Sequence, residues 1–157
     1  MNEMLDNRFK TVLSKLHVTY LKPAGFKKTG SNFRLYLPNG LYKIINFQRS
    51  MFNGCGECRF TMNLGIYFEK DWENPNLRFK EYQCAIRARI STISEKYTCD
   101  QWWDITEDSN DEMLYAELAS VITEDVLPWM DQFSSLEATI RLGQTGNLRG
   151  HIWKPLC

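Results

Sequence analysis

The sequence predicts an α+β domain: an antiparallel sheet of four or five strands, preceded by one helix and followed by two helices packed on one face. Three observations carry that expectation. Residues 59–68 (RFTMNLGIYF) and 84–90 (CAIRARI) alternate between apolar and polar or small residues, the period of a strand with one buried face. Pro38-Asn39-Gly40 separates two further strand-like runs. Apolar stripes at helical spacing stand before and after these segments. Runs of strands bracketed by helices point to helices covering one sheet face, with the other face polar and open.

In chain order, Leu5, Phe9, Val12, Leu13 and Leu16 recur at i, i+4, i+7, i+8 and i+11, one side of an amphipathic helix. Glu3, Asp6, Arg8, Lys10 and Lys15 fall mostly outside that stripe, acids early and bases late, as the helix dipole prefers. The helix is expected to end near residues 17–21, before Lys22 and Pro23. Gly25 and Gly30 punctuate a basic connector. Phe33, Leu35 and Leu37 then alternate with Arg34 and Tyr36, and Asn39-Gly40 turns the chain into a second strand. There Ile44, Ile45 and Phe47 do not segregate, which predicts cover on both faces.

Gly54 and Gly56 supply the following turn. Gly65, inside the strand over residues 59–68, marks a bulge or a close backbone approach. Residues 69–81 form a polar connection with a turn at Asn74-Pro75. A strand over 84–92 follows, with Cys84, Ile86, Ala88 and Ile90 on the apolar side, and a short fifth strand is expected around 102–105. Ser109-x-x-Glu112 reads as a capping box ahead of Leu114, Leu118, Val121 and Ile122. That helix is expected to stop before Pro128. A shorter one, with Phe133, Leu136 and Ile140 inward, ends at Gly143, and residues 143–157 read as an irregular tail. Residues 1–157 form one domain in this reading.

A chain of this length buries roughly 70% of its unfolded surface, so a core forms without a metal or disulfide. No apolar run approaches the roughly 20 residues that span a bilayer. The first residues, MNEMLDNRFK, have acids where a signal peptide carries bases, so the default location is the cytoplasm. The five cysteines are then expected to be reduced. Net charge is zero but unevenly spread. Residues 1–50 hold nine Lys and Arg against two Asp and Glu, so +7; residues 101–157 hold three against ten, so −7. Self-complementarity of the two ends explains this better than nucleic-acid binding, because the lysines are not clustered with exposed aromatics.

No Walker loop, dinucleotide fingerprint, nucleophile elbow or H-E-x-x-H is present, and His17 and His151 belong to no triad motif. Cys55-x-x-Cys58 is half of a zinc knuckle without a second close pair, so a turn with two thiols is the expectation, with no metal and no cofactor. What remains is the polar sheet face. Arg87 and Arg89 stand side by side about 6.6 Å apart along one strand. Asn63, Thr61 and Arg59 lie near them if the strands are neighbours, and Gln48 or Arg49 joins from the preceding strand according to register. Guanidiniums on one face repel unless an acid bridges them. Either acids among residues 104–111, or Glu57, Glu69 and Glu81, neutralise them as solvated ion pairs, or the face binds an anion. Of Trp102 and Trp103, adjacent on a strand, one is expected in the core and the other beside the arginines as a stacking surface.

The segments LKPAGFKKTG (residues 21–30), INFQRS (45–50), NLGIYF (63–68) and CAIRARI (84–90), in this order and spacing, resemble the bacterial domain-of-unknown-function family 4304 over roughly residues 5–125. That family often shows a histidine after the cysteine of the last motif, where this chain has Ala85. The resemblance implies a bacterial, intracellular, single-domain protein and supplies no activity. The expected function is a small non-catalytic binding module, of which an immunity-type protein is one form, using Arg87, Arg89, Asn63, Arg59 and Gln48. The alternative is an enzyme or small-ligand binder holding an anionic group there. Its partner is a protein or an anionic small molecule, not a membrane, and the hairpin edge also admits a homodimer.

Overall fold

The N-terminal stripe forms α1 (Glu3–Leu16), with Leu5, Phe9, Val12, Leu13 and Leu16 all buried, and a π-helical turn (His17–Leu21) carries it to the connector. The computed structural model describes residues 3–51, 54, 56–69 and 77–152. Its sheet has seven strands, every pair antiparallel: β1 (Lys27–Thr29), β2 (Asn32–Tyr36), β3 (Leu41–Arg49), β4 (Glu57–Phe68), β5 (Ile86–Arg89), β6 (Trp103–Thr106) and β7 (His151–Ile152). The order is β1-β2-β3-β4-β5-β7. β4 carries β3 along one edge and β6 and then β5 in tandem along the other. The α+β class and the antiparallel sheet follow the expectation. The extra strands are β1 and β7, too short at three and two residues for alternation to show in sequence.

The β2–β3 hairpin turns at Asn39-Gly40, where Gly40 has φ +79°, a conformation that side chains resist. Phe60, Met62, Leu64, Ile66, Ile86 and Ala88 face the main core, together with Ile45 and Phe47. α1, α3 (Asp111–Val121) and a π-helical turn (Ile122–Val126) pack there, contributing Leu118, Val121, Ile122 and Val126. Lys43 shares this inner face and is buried. Its ammonium donates to the Met130 carbonyl at 2.5 Å, at the end of α4 (Leu127–Asp131), and burial pushes its pKa down.

Several local expectations are corrected. The helix does not stop before Pro128: the π-turn sends the Leu127 N–H to the Ile122 carbonyl, and Pro128 follows directly in the first turn of α4. The cap of α3 is Asn110, whose Oδ1 accepts from the Glu112 and Met113 amides; Ser109 instead closes the turn back to Thr106. In α5 (Leu136–Gln144) the buried position is Thr139, and Leu136 is exposed. The strand over 84–92 is shorter than expected, because residues Ile90–Ile93 form a helical turn, α2.

Arg8 is no solvent-face residue. Its Nε and Nη2 donate to both Asp111 oxygens at 2.9 and 2.7 Å, and it also reaches the carbonyls of Thr106 and Ser109. This hydrogen-bonded pair holds the Asp111 carboxyl below its usual range. Among the described residues it is also the one ion pair joining the basic first fifty residues to the acidic last third, so the expected self-complementarity is confined to it. No described helix is long and apolar enough to cross a membrane.

Candidate functional site

The outer sheet face divides into two halves. In the first, Tyr42, Ile44, Phe79 and Cys84 form a second buried cluster, with Tyr36, Tyr67 and Leu77 packed against it. Cys84 therefore lies on this face and not with Ile86 and Ala88, because the chain before β5 crosses over the sheet instead of continuing the strand. Gly65 permits that crossing: a Cβ there would stand 2.5 Å from the Cys84 sulfur. The register through Gly65 is continuous, so it marks a close approach and not a bulge. Arg34 is buried in this half, donating through Nε to the Phe79 carbonyl at 2.9 Å, and burial pushes its pKa down.

The second half is polar. Register aligns Asn32, Asn46, Asn63 and Arg89 in one row across β2, β3, β4 and β5. Asn46 donates to Asn32 Oδ1 at 2.8 Å, and Asn63 donates to Asn46 Oδ1 at 3.1 Å and to Gln48 Oε1 at 2.7 Å. At the β5 end of the row a shallow concavity of about 280 Å³ opens between Gln48, Asn63, Arg87, Arg89, Glu81 and His151. Four of the five residues expected to form a site, Gln48, Asn63, Arg87 and Arg89, thus line one surface. Arg59 does not: it lies farther along β4, in a cross-strand pair with Asp104 at 2.9 Å. Arg49 points the other way, to Asp6 and over the Phe9 ring.

The arginines are largely engaged. Arg87 binds both oxygens of Glu81, at 2.9 and 3.3 Å. Arg89 faces Asp100 at a looser 3.5 Å and lies over the Trp102 ring, 5.4 Å from its centroid, while the Trp102 Nε1 donates to Asp100 at 3.0 Å. Trp103, the neighbouring residue, is buried against Phe60. Among the described residues no hydrogen-bond partner reaches Nη1 of Arg89, a buried atom. The lining is thus amides, guanidiniums, one carboxylate and one imidazole, groups suited to fixing a polar ligand.

A family model described as a domain of unknown function, DUF4304, matches residues 17–132. The chain belongs to this family. The DUF4304 match takes in β1 through α4 and every residue expected at the site, and leaves α1, α5 and β7 outside it. No curated protein and no solved structure matches the chain. Membership in DUF4304 therefore brings no activity with it.

Three contributors to the face were not foreseen. Asn32 and Asn46 complete the amide row, and the signal was available: counting back from the Asn39-Gly40 turn pairs them across the hairpin. His151 arrives through β7, opposite Arg87, from a segment with no strand pattern. Cys58 is buried on β4, whereas Cys55 lies outside the described residues. Among the described residues no three His, Cys, Asp or Glu side chains converge as a metal site requires.

Proposed function

We propose that this chain is a small non-catalytic binding module whose polar sheet face receives a carboxylate carried by another protein. One observation carries the reading: Arg89, positioned by the Trp102 ring and by Asp100, lines one concavity together with Arg87, Asn63 and Gln48. The Arg89 side chain is about a third exposed and its contact with Asp100 is long at 3.5 Å, so an incoming carboxylate meets a guanidinium that is only loosely engaged. Asn63 and Gln48 stand beside it as fixed polar neighbours, held to one another at 2.7 Å.

The alternative, an enzyme or binder of a free anionic small molecule, is less well supported. Small-molecule sites enclose roughly 300–1,000 Å³ and bury most of their ligand, and this concavity is shallow and about 280 Å³. It suits one side-chain or terminal carboxylate better than a whole metabolite. The test is a nuclear magnetic resonance titration of the labelled protein with acetate and with peptides ending in a free carboxylate. The Asn63 side-chain amide and the Arg89 backbone are expected to shift, and Arg89→Ala to abolish the response. Shifts that survive Arg89→Ala, or none at all, remove the proposal.

A further inference from the structure

We infer that the outer edge of β1 is a docking site for an acidic, extended segment of another protein, which adds as a strand beside Lys27, Lys28 and Thr29. Among the described residues β1 is the last strand of the sheet on its side, so one row of its backbone groups has no strand partner there. Lys27 and Lys28 lie in the strand and Arg78 beside it, and among the described residues none of the three makes an ion pair. Arg78 is fastened to the strand itself, its Nη1 donating to Thr29 Oγ1 at 2.6 Å.

A second observation shows that, among the described residues, no acid answers this charge. Lys27 is paired in register with Arg34, which is 2% exposed, and the Nη1 of Arg34 has no hydrogen-bond partner among the described residues. Arg78 lies close enough to Arg34 to oppose its charge. Lys27 rests over the Tyr36 ring, 5.7 Å from its centroid, and not against a carboxylate. Among the described residues three cations, Lys27, Arg34 and Arg78, are thus gathered with no acid paired to them, at an edge strand of the sheet.

Lysines on an edge strand oppose pairing with a second copy of the same edge, and the same lysines favour a strand of opposite charge. An extended peptide uses both features at once: main-chain hydrogen bonds give affinity, and alternate side chains meet the cations on each face. Lys27, opposite Arg34, and Lys28, opposite Phe33, point to different faces of the strand, so acids on both sides of the incoming segment find partners. A nucleic acid fits less well. It cannot pair as a strand with the β1 backbone.

The experiment is fluorescence anisotropy with a labelled, end-blocked peptide of alternating Glu and Thr, run on the Arg89→Ala protein so that the carboxylate site proposed at Arg89 takes no part. Binding is expected for this peptide and not for its Lys-Thr counterpart. Lys27→Glu with Arg78→Glu should weaken it at least about tenfold, while Arg141→Glu on α5 leaves it unchanged. On complex formation the amides of residues 27–29 should gain protection from hydrogen exchange. Absent binding, binding indifferent to the double substitution, unprotected amides, or equal binding of a thymidine oligonucleotide of the same charge would each overturn the inference. The Arg89→Ala background keeps this outcome separate from the fate of the Arg89 site.

Discussion

The two halves of the outer sheet face use similar residues to opposite ends. In the sealed half, Arg34 is buried under Phe79 among three tyrosines. In the open half, Arg89 lies on Trp102 with its edge toward a shallow concavity. Both are arginines on a strand, both rest on an aromatic ring, and both have one buried terminal nitrogen without a partner among the described residues. What differs is the crossing of residues 77–84, which covers one half and stops short of the other. A sheet face becomes a recognition surface where its cover ends, and the position of Gly65 decides where that is.

The strongest way to break the contrast is to remove the lid. Phe79 touches Tyr36, Tyr42 and Tyr67 at ring separations of 4.9 to 6.0 Å. Phe79→Ala is expected to destabilise the protein by about 3–5 kcal/mol, the range for emptying a buried aromatic site, measured by urea denaturation. A loss below about 1 kcal/mol would mean that the sealed half is not a second core. Gly65→Ala comes next. The added methyl would meet the Cys84 sulfur at 2.5 Å and Ile44 at 3.1 Å, both packed, so a loss of about 1–3 kcal/mol is expected from overpacking. Cys84→Ala in the same chain should restore part of it, since it removes the sulfur that clashes.

A smaller effect sharpens the contrast by pH. Burial pushes up the pKa of Tyr36 and of Tyr67, from a usual value of 10.0. A group whose folded pKa lies above its unfolded one contributes stability that is present below the unfolded value and lost as pH rises through the folded value. Stability is therefore expected to hold to about pH 10 and then to fall as these phenols ionise. Ultraviolet titration should show a late tyrosinate fraction that shrinks in Tyr36→Phe and Tyr67→Phe. Equal early ionisation of every tyrosine would show the half to be open.

Much of this contrast was legible in the sequence, and the rest was hidden for physical reasons. Alternation over 59–68 and the Asn39-Gly40 turn identify β4 and the hairpin, because period and turn chemistry are local properties. The mixed faces of Ile44, Ile45 and Phe47 already signal cover on both sides of β3. Arg87, Arg89, Asn63 and Gln48 are recoverable because a strand's outward side chains follow from its inward ones. Cys84 misleads, since it keeps the parity of Ile86 while the chain has left the sheet. Arg8 and Lys43 are read as ordinary surface or strand positions, because their partners, Asp111 and the Met130 carbonyl, lie about a hundred residues away in sequence. β1 carries three polar residues and no pattern at all.

The smallest expected change in stability belongs to Arg89, and it bears most directly on what the open half is for. Its side chain is about a third exposed, and its one ion pair, to Asp100, is long at 3.5 Å. Solvated pairs of this kind contribute at most about 1 kcal/mol, and removing a buried donor that has no partner gives some of that back. Arg89→Ala is therefore expected to move the unfolding free energy by under about 1 kcal/mol while abolishing the response to carboxylate ligands. Arg59→Ala, its counterpart outside the concavity with a tighter bond to Asp104 at 2.9 Å, should leave that response intact. If instead Arg89→Ala costs as much as opening the sealed half, the guanidinium holds the sheet to the segment carrying Trp102, and the open half is framework and not a site.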